Sequence, residues 1–361
     1  MAILIDCGVR FLDSLQNTKV PMKLQHLCTV FLIASLGCGD GAETNSNAVS
    51  DQSPTLQKVT LQLNWYPEAE HGGFYAALVH GYYKESGLDV EIQPGGPNAP
   101  VVQLVDRKSV TFGVTNADRV LLGRAQDAEL LAVMAPLQNS PRCIMVHQSS
   151  GIRDFADLKN VTLAMNSGAT WAQFLQKRLP LKNVRIVDNA SVAKFLTDEN
   201  YAQQGYVFSE PFVAKDKGGD PHSLMVSQLG FNPYTSLLIS HADTIRQKPE
   251  LVRKMVSASI RGWQTYLENS EPTNRFIHER NPEMGLAILS YGAEAMKPLC
   301  LDEKTSIDRL GQMTAERWQT LAAQLVEVEV IDPGAVDSSQ AFSTEFLPSH
   351  QPRLPIAKPD K

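Results

Sequence analysis

Cysteine is scarce in this chain, five among 361 residues, and three of the five, Cys7, Cys28 and Cys38, fall near the amino terminus. The other two, Cys143 and Cys300, stand alone, with no Cys-x-x-Cys and no metal-ligand spacing around them. That excludes a zinc ribbon and a disulfide-built scaffold, and two separate buried thiols are expected. A block of one charge sign is also missing. The 33 basic and 39 acidic residues give a formal charge of −6, which excludes a nucleic-acid partner. Generic catalytic signatures are absent as well: no Gly-x-Ser-x-Gly, no His-Glu-x-x-His, no phosphate-loop lysine motif and no dinucleotide glycine fingerprint. His278-Glu279-Arg280-Asn281-Pro282 starts like a zinc-protease helix, but it has no second histidine and Pro282 breaks it. No metal and no cofactor is expected.

Long apolar runs are confined to the amino terminus. Lys23 precedes a stretch from Leu27 to Leu36, too short to span a bilayer as a permanent helix, and small Gly37 sits before Cys38. This is the pattern of a signal peptide starting at Met22, with Met1–Pro21 upstream of the true start. Ser35-Leu36-Gly37-Cys38 resembles a lipoprotein cleavage box in which Cys38 is lipidated, although Ser35 stands where an aliphatic residue is usual. An ordinary cleaved signal is the alternative. Residues 1–38 are thus a signal region, 39–55 a flexible polar tether, and the Pro-rich 346–361 a mobile tail.

What remains, roughly 310 residues, is long enough for two lobes with sizeable cores. Its 43% hydrophobic and 20% charged content is that of a globular protein. Strand-like and helix-like stretches alternate from Val59 onward, which predicts α/β layers with mainly parallel strands. Strands are expected at 59–65, 90–92, 110–114, 130–134, 143–147, 161–165, 184–187, 206–208, 224–226 and 234–240. Leu251, Met255, Ile260, Trp263 and Leu267 share a stripe that predicts an amphipathic helix over 250–269.

The richest segment runs from Leu61 to Leu78. Val59, Leu61, Leu63 and Trp65 alternate with polar residues until Pro67 ends the strand. Gly72 and Gly73 then free the backbone before a helix carrying Phe74, Ala77 and Leu78 on one face. Ligands of open α/β sheets bind at the carboxyl ends of strands, where this loop lies. Trp65, Tyr66, His71 and Tyr75 are candidate ligand contacts, with core packing an equal alternative for Trp65. Asn166, Ser167 and Thr170 present hydroxyls and backbone N–H groups at a helix start, where plain capping by Ser167 or Thr170 is the alternative. Asn116 opens a second such start. Trp171, Phe208 and Tyr234 offer ring faces near strand ends, and Glu210 offers a carboxylate.

Asn64-Trp-Tyr-Pro-Glu-Ala-Glu-His-Gly-Gly-Phe-Tyr and Gly81-Tyr-Tyr-Lys-Glu-Ser-Gly-Leu-Asp-Val-Glu-Ile closely resemble the start of bacterial solute-binding proteins for thiamine-pyrimidine precursors. Gly205-Tyr-Val-Phe-Ser-Glu-Pro-Phe-Val-Ala and Asn232-Pro-Tyr-Thr-Ser-Leu extend the resemblance. Relatives of that family bind sulfonates, taurine, nitrate and riboflavin, and include the fungal enzyme that makes the thiamine pyrimidine. The resemblance implies a type II periplasmic-binding-protein clamshell, two α/β lobes joined by a two-strand hinge. Residues 56–142 plus 238–345 make one lobe and 146–234 the other. It further implies a small-molecule ligand, ABC permease subunits as partners, a location outside the cytoplasmic membrane and a monomer. For an aminopyrimidine, rings would stack on its faces and Glu210 would pair with its N–C–NH2 edge. In the fungal enzyme a histidine from a similar loop is the chemical source of the pyrimidine, and His71 matches it. The cysteine-rich iron motif of that enzyme is absent here, which favours binding over catalysis. Riboflavin, a sulfonate or another small heterocycle is the alternative cargo.

Overall fold

Val59, Leu61 and Leu63 are buried while their neighbours are polar, and this alternation fits the first strand, β1 (Gln57–Gln62), to an interior position in its sheet. The computed structural model describes residues 55–301 and 305–349; the signal region, Cys38, the tether before residue 55 and the tail beyond residue 349 lie outside the described residues. β1 pairs in parallel with β2 (Leu88–Gln93) and β3 (Phe112–Thr115). β4 (Leu130–Met134) and β10 (Leu237–His241) complete the order β2-β1-β3-β10-β4. A second sheet has the order β7-β6-β8-β5-β9, built from β5 (Arg142–His147), β6 (Thr162–Ala164), β7 (Arg185–Val187), β8 (Tyr201–Tyr206) and β9 (Pro221–Met225).

The sheets are mixed, not mainly parallel as expected. β10 runs against β3 and β4, and β5 runs against β8 and β9. Each is the first strand after the chain changes lobe, so it enters its sheet from the opposite end to the strands already there. The two crossings pair with each other through an antiparallel bridge between Leu137 and Thr235. Asn232 ties them again, accepting the Ser140 N–H at 2.8 Å and donating to Asn139 Oδ1 at 2.9 Å.

The helices are α1 (Gly72–Val79), α2 (Tyr82–Glu85), α3 (Val101–Asp106), α4 (Ala117–Arg124), α5 (Thr170–Arg178), α6 (Val192–Phe195), α7 (Glu210–Asp216), α8 (Ala242–Gln247), α9 (Pro249–Glu268), α10 (Glu271–Arg280), α11 (Leu286–Cys300) and α12 (Ala315–Glu327). Among the described residues no helix is long and apolar enough to cross a membrane. Cys143 and Cys300 are buried and unpaired.

Two local expectations are corrected. Gly72 and Gly73 do not loosen a loop; they open α1 in helical conformation. A Cβ on Gly72 would stand 2.1 Å from the Tyr266 ring and one on Gly73 2.0 Å from the Trp263 ring, so both glycines exist to let α1 lie on α9. The strand expected at 206–208 is β8, which ends at Tyr206. Gln203, Gln204 and Gly205 hide its alternation, yet Gln203 and Gly205 are buried because β8 is flanked by β6 and β5.

Candidate functional site

Side chains leaving the carboxyl ends of β1, β3, β6 and β8 meet between the lobes, joined by Arg142 at the first residue of β5. The loop after β1 supplies Asn64, Glu68, Glu70 and His71. Asn64 organises it. Its Nδ2 donates to Glu70 Oε1 at 3.1 Å, and its Oδ1 lies 2.9 Å from His71 Nε2, which is also 3.2 Å from Glu70 Oε1. Nε2 therefore carries the imidazole proton. Glu70 and His71 are fully buried, and Glu70 Oε2 and His71 Nδ1 have no protein partner. A buried polar atom left unpaired costs about 1–3 kcal/mol, more when charged, so these two atoms are where a bound molecule has most to gain.

Glu68 is buried without a capping bond to the turn that follows it. Burial, then the charges of Glu70 and Glu210, push its carboxyl well above the usual range. Gly292 on α11 lets that helix rest against this turn, since a Cβ there would come within 2.6 Å of the Ala69 methyl.

Glu210 opens α7 and folds back so that its Oε2 accepts the Tyr206 N–H at 2.7 Å. Gly205 makes room, because a Cβ there would sit 3.2 Å from both Glu210 Cβ and Oε2. Burial raises the Glu210 carboxyl, with the Tyr206 N–H and Arg142 acting the other way. Arg142 donates to the Tyr206 hydroxyl at 3.0 Å, and its guanidinium lies 4.1 Å from the Tyr206 ring centroid and 5.3 Å from that of Trp171. Burial pushes the Tyr206 phenol up to about 12, opposed by Arg142.

The lobes touch directly around this cluster. Thr170 donates to Asp118 at 2.6 Å, and the Tyr291 hydroxyl donates to the Val207 carbonyl at 3.2 Å. Asn116 Oδ1 accepts the Ser236 N–H at 3.2 Å, and its side chain also reaches the Tyr206 hydroxyl.

The expected contacts divide accordingly. His71, Asn116, Thr170, Trp171 and Glu210 join the cluster. Phe208 is buried behind it, 5.3 Å from the Tyr206 ring. Trp65 and Tyr66 lie between Asn64 and Glu68, exposed, as an edge-to-face pair 5.5 Å apart. Tyr75 is fully buried on α1 against Phe276 of α10. Asn166 is exposed and closes its own turn by accepting the Gly168 N–H, and Ser167 is half-buried beside it. Neither Ser167 nor Thr170 caps α5; Ala169 holds the cap position, and the Thr170 hydroxyl goes to Asp118 instead. Tyr234 lies elsewhere, beside the crossings, where its hydroxyl accepts the Thr314 N–H at 3.0 Å under the Arg317 guanidinium.

The sequence reading left Asn64, Arg142 and Tyr206 out of the candidate set. Asn64 immediately precedes Trp65, and Tyr206 precedes the Ser-Glu-Pro turn. Arg142 carries no local signal beyond opening a strand.

A cavity of about 700 Å³ lies beside the crossings, lined by Gln138, Asn232, Tyr234, Thr314, Arg317 and Gln324 among others. Glu68, Glu70 and Glu210 do not line it. Two of the unpaired buried atoms, Glu70 Oε2 and His71 Nδ1, lie in their cluster, where side chains of both lobes meet. Glu129, His241 and Asp243 also approach one another. His241 Nδ1 accepts the Asp243 N–H at 2.9 Å to cap α8, so Nε2 keeps its proton, and Asp243 is paired with Lys108 and Arg246. That arrangement is a helix cap.

Two mixed five-stranded sheets, joined by paired crossings and closing on a polar cluster, define the two-lobed periplasmic-binding-protein fold. The periplasmic aliphatic sulphonate binding protein SsuA of Escherichia coli has it too, with a TM-score of 0.62, 15% identity, and 86% of this chain and 99% of that chain covered. The NMT1/THI5-like family model matches residues 68–272, and the chain belongs to that family. Among curated relatives, riboflavin-binding protein RibY of Chloroflexus aurantiacus is 25% identical over 82% of this chain and 87% of its own. The formylaminopyrimidine-binding protein of Halalkalibacterium halodurans is 23% identical over 84% and 94%. A 4-amino-5-hydroxymethyl-2-methylpyrimidine phosphate synthase of Legionella pneumophila is 23% identical over 82% and 94%.

Proposed function

We propose that this protein is the extracytoplasmic solute-binding component of an ABC importer, and that it captures a thiamine-pyrimidine precursor, hydroxymethylpyrimidine or formylaminopyrimidine. One observation carries the reading: Glu210, held by the Tyr206 N–H, feels the charge of Glu70, whose Oε2 is buried and unpaired, as is Nδ1 of the adjoining His71. A 4-aminopyrimidine presents an N–H donor next to a ring-nitrogen acceptor, and a carboxylate accepts the first strongly. The Tyr206 face already carries one flat cation, the Arg142 guanidinium, so it suits a planar guest. Closure over the ligand is a population shift between the lobes and creates the surface that a permease reads. Lipidated Cys38 holds the protein at the membrane. Mass spectrometry of the mature amino terminus tests the anchor, and an unmodified terminus away from Cys38 overturns it.

Riboflavin is the second reading, favoured by the exposed Trp65–Tyr66 pair, which gives a wider ring system somewhere to rest. Catalysis is disfavoured because the His71 ring is fully buried with Nε2 held by Asn64 and Glu70, and the two described cysteines are isolated. Thermal shift against hydroxymethylpyrimidine, formylaminopyrimidine, riboflavin, taurine and nitrate discriminates the cargoes. A true ligand at a hundredfold excess over Kd stabilises by about 2.7 kcal/mol. A rise with the aminopyrimidines and none with taurine or nitrate is expected, and the reverse pattern rejects the reading.

A further inference from the structure

Three carboxyl groups, Glu68, Glu70 and Glu210, share the closed cleft with one guanidinium, Arg142. Two of the three have a fixed partner. Glu70 Oε1 is held by Asn64 and His71, and Glu210 by the Tyr206 N–H. Glu68 has no such holder: it caps nothing, and every neighbour acting on it raises its proton affinity. The ionisable groups around it are Glu70 and His71 on its own turn, Glu210 from α7 and the Tyr266 phenol from α9, while Arg142 acts on Glu210 and Tyr206. Two buried carboxyls, Glu68 and Glu70, and a half-buried one, Glu210, facing one guanidinium are unfavourable as three negative charges, and the least-held group is the one that takes up a proton.

We propose that Glu68 is the cleft's neutral acid, a hydrogen-bond donor that meets an acceptor atom of the ligand while Glu70 and Glu210 accept from its N–H groups. This rests on the ligand reading above and narrows it. The cargo must be a compact neutral heterocycle with donor and acceptor atoms adjacent on one edge, and its capture requires the Glu68 proton. Anionic cargo is excluded by the same carboxylates.

Glu68→Gln keeps a donor of similar shape without the titration. In the empty protein, the melting temperature of the wild type falls as pH rises through the Glu68 titration, because the folded state holds a proton that the unfolded state has released. Glu68→Gln loses that slope. Wild-type affinity for hydroxymethylpyrimidine, read by calorimetry, falls about tenfold per pH unit above the titration, while Glu68→Gln holds its affinity. Parallel melting curves for the two proteins across pH overturn the proposal, as does a pH-independent wild-type affinity. If hydroxymethylpyrimidine binds neither protein but the melting slopes still differ, the cargo assignment falls and the neutral acid stands.

Discussion

The Thr170 hydroxyl donates to the Asp118 carboxylate over 2.6 Å, joining the first turn of α5 in one lobe to the first turn of α4 in the other. Both residues are buried, so water does not replace the bond while the lobes are shut. A hydrogen bond to a charged group contributes about 1.5–3 kcal/mol, and this one spans the two lobes, so separating them breaks it. Thr170→Val deletes the donor at nearly constant volume. The Kd for hydroxymethylpyrimidine is expected to rise about tenfold to a hundredfold, and small-angle scattering of the empty protein should show a larger radius of gyration. Unchanged values of both would show that the pair does not latch the lobes.

Gly262 of α9 tests the packing that holds the loop after β1. A Cβ there would come within 2.1 Å of the Gly73 carbonyl oxygen and 2.6 Å of the Ala77 nitrogen, both backbone atoms that cannot turn aside. Overpacking of this kind costs about 1–3 kcal/mol, occasionally more. Gly262→Ala should lower the urea midpoint by a corresponding amount. Gly285→Ala, where a Cβ meets nothing within 4 Å, should change the unfolding free energy by less than about 1 kcal/mol. Equal midpoints for the two variants would refute the tight α1–α9 contact.

That contact also marks where sequence reading stopped. Period-two alternation at Val59, Leu61 and Leu63 and the apolar stripe of α9 were visible because each is local. Gly72 and Gly73 were visible only as glycines; their purpose depends on Trp263 and Tyr266, nearly two hundred positions away. The antiparallel setting of β5 and β10 likewise follows from the crossings, which no local period encodes. In the site, Glu210 and His71 could be named from their motifs. Arg142 and Tyr206 could not, because their role comes from one residue lying over the other across neighbouring strands. Helix α10 was missed because Glu271, Pro272 and the polar residues after them dilute its single apolar face.

Asp220 predicts an acid-side signature. Burial pushes its carboxyl up, but hydrogen bonds from His147 at 2.6 Å and from Ser149 outweigh that and hold it at about 2. A carboxyl whose folded pKa lies below its unfolded value of about 3.9 contributes stability that is present above that value and lost as pH falls towards 2. The side chain is 42% exposed, so solvent screens part of the effect. Asp220→Asn should lower the melting temperature near neutral pH, and the gap to wild type should close as pH falls from about 4 to 2. A gap that stays constant over that interval would exclude the His147–Asp220 pair as the source.

Glu210 separates a ligand role from a structural one. In Glu210→Gln the side-chain oxygen still accepts the Tyr206 N–H, and Gly205 still leaves it room. The empty protein should therefore melt within about 1 °C of wild type, a change under about 1 kcal/mol for a chain of this size. Only the negative charge is gone, and with it the charge-assisted acceptance of the ligand's amino group. A loss of about 1.5–3 kcal/mol raises the Kd for hydroxymethylpyrimidine about tenfold to a hundredfold. Calorimetry of ligand binding and a melt of the empty protein read the two effects independently. A normal melt with unchanged Kd removes Glu210 from the site. A collapsed melt instead assigns it to holding the turn between β8 and α7, and the amino edge of the ligand then needs Glu70, the one cluster carboxylate with an unpaired buried oxygen among the described residues.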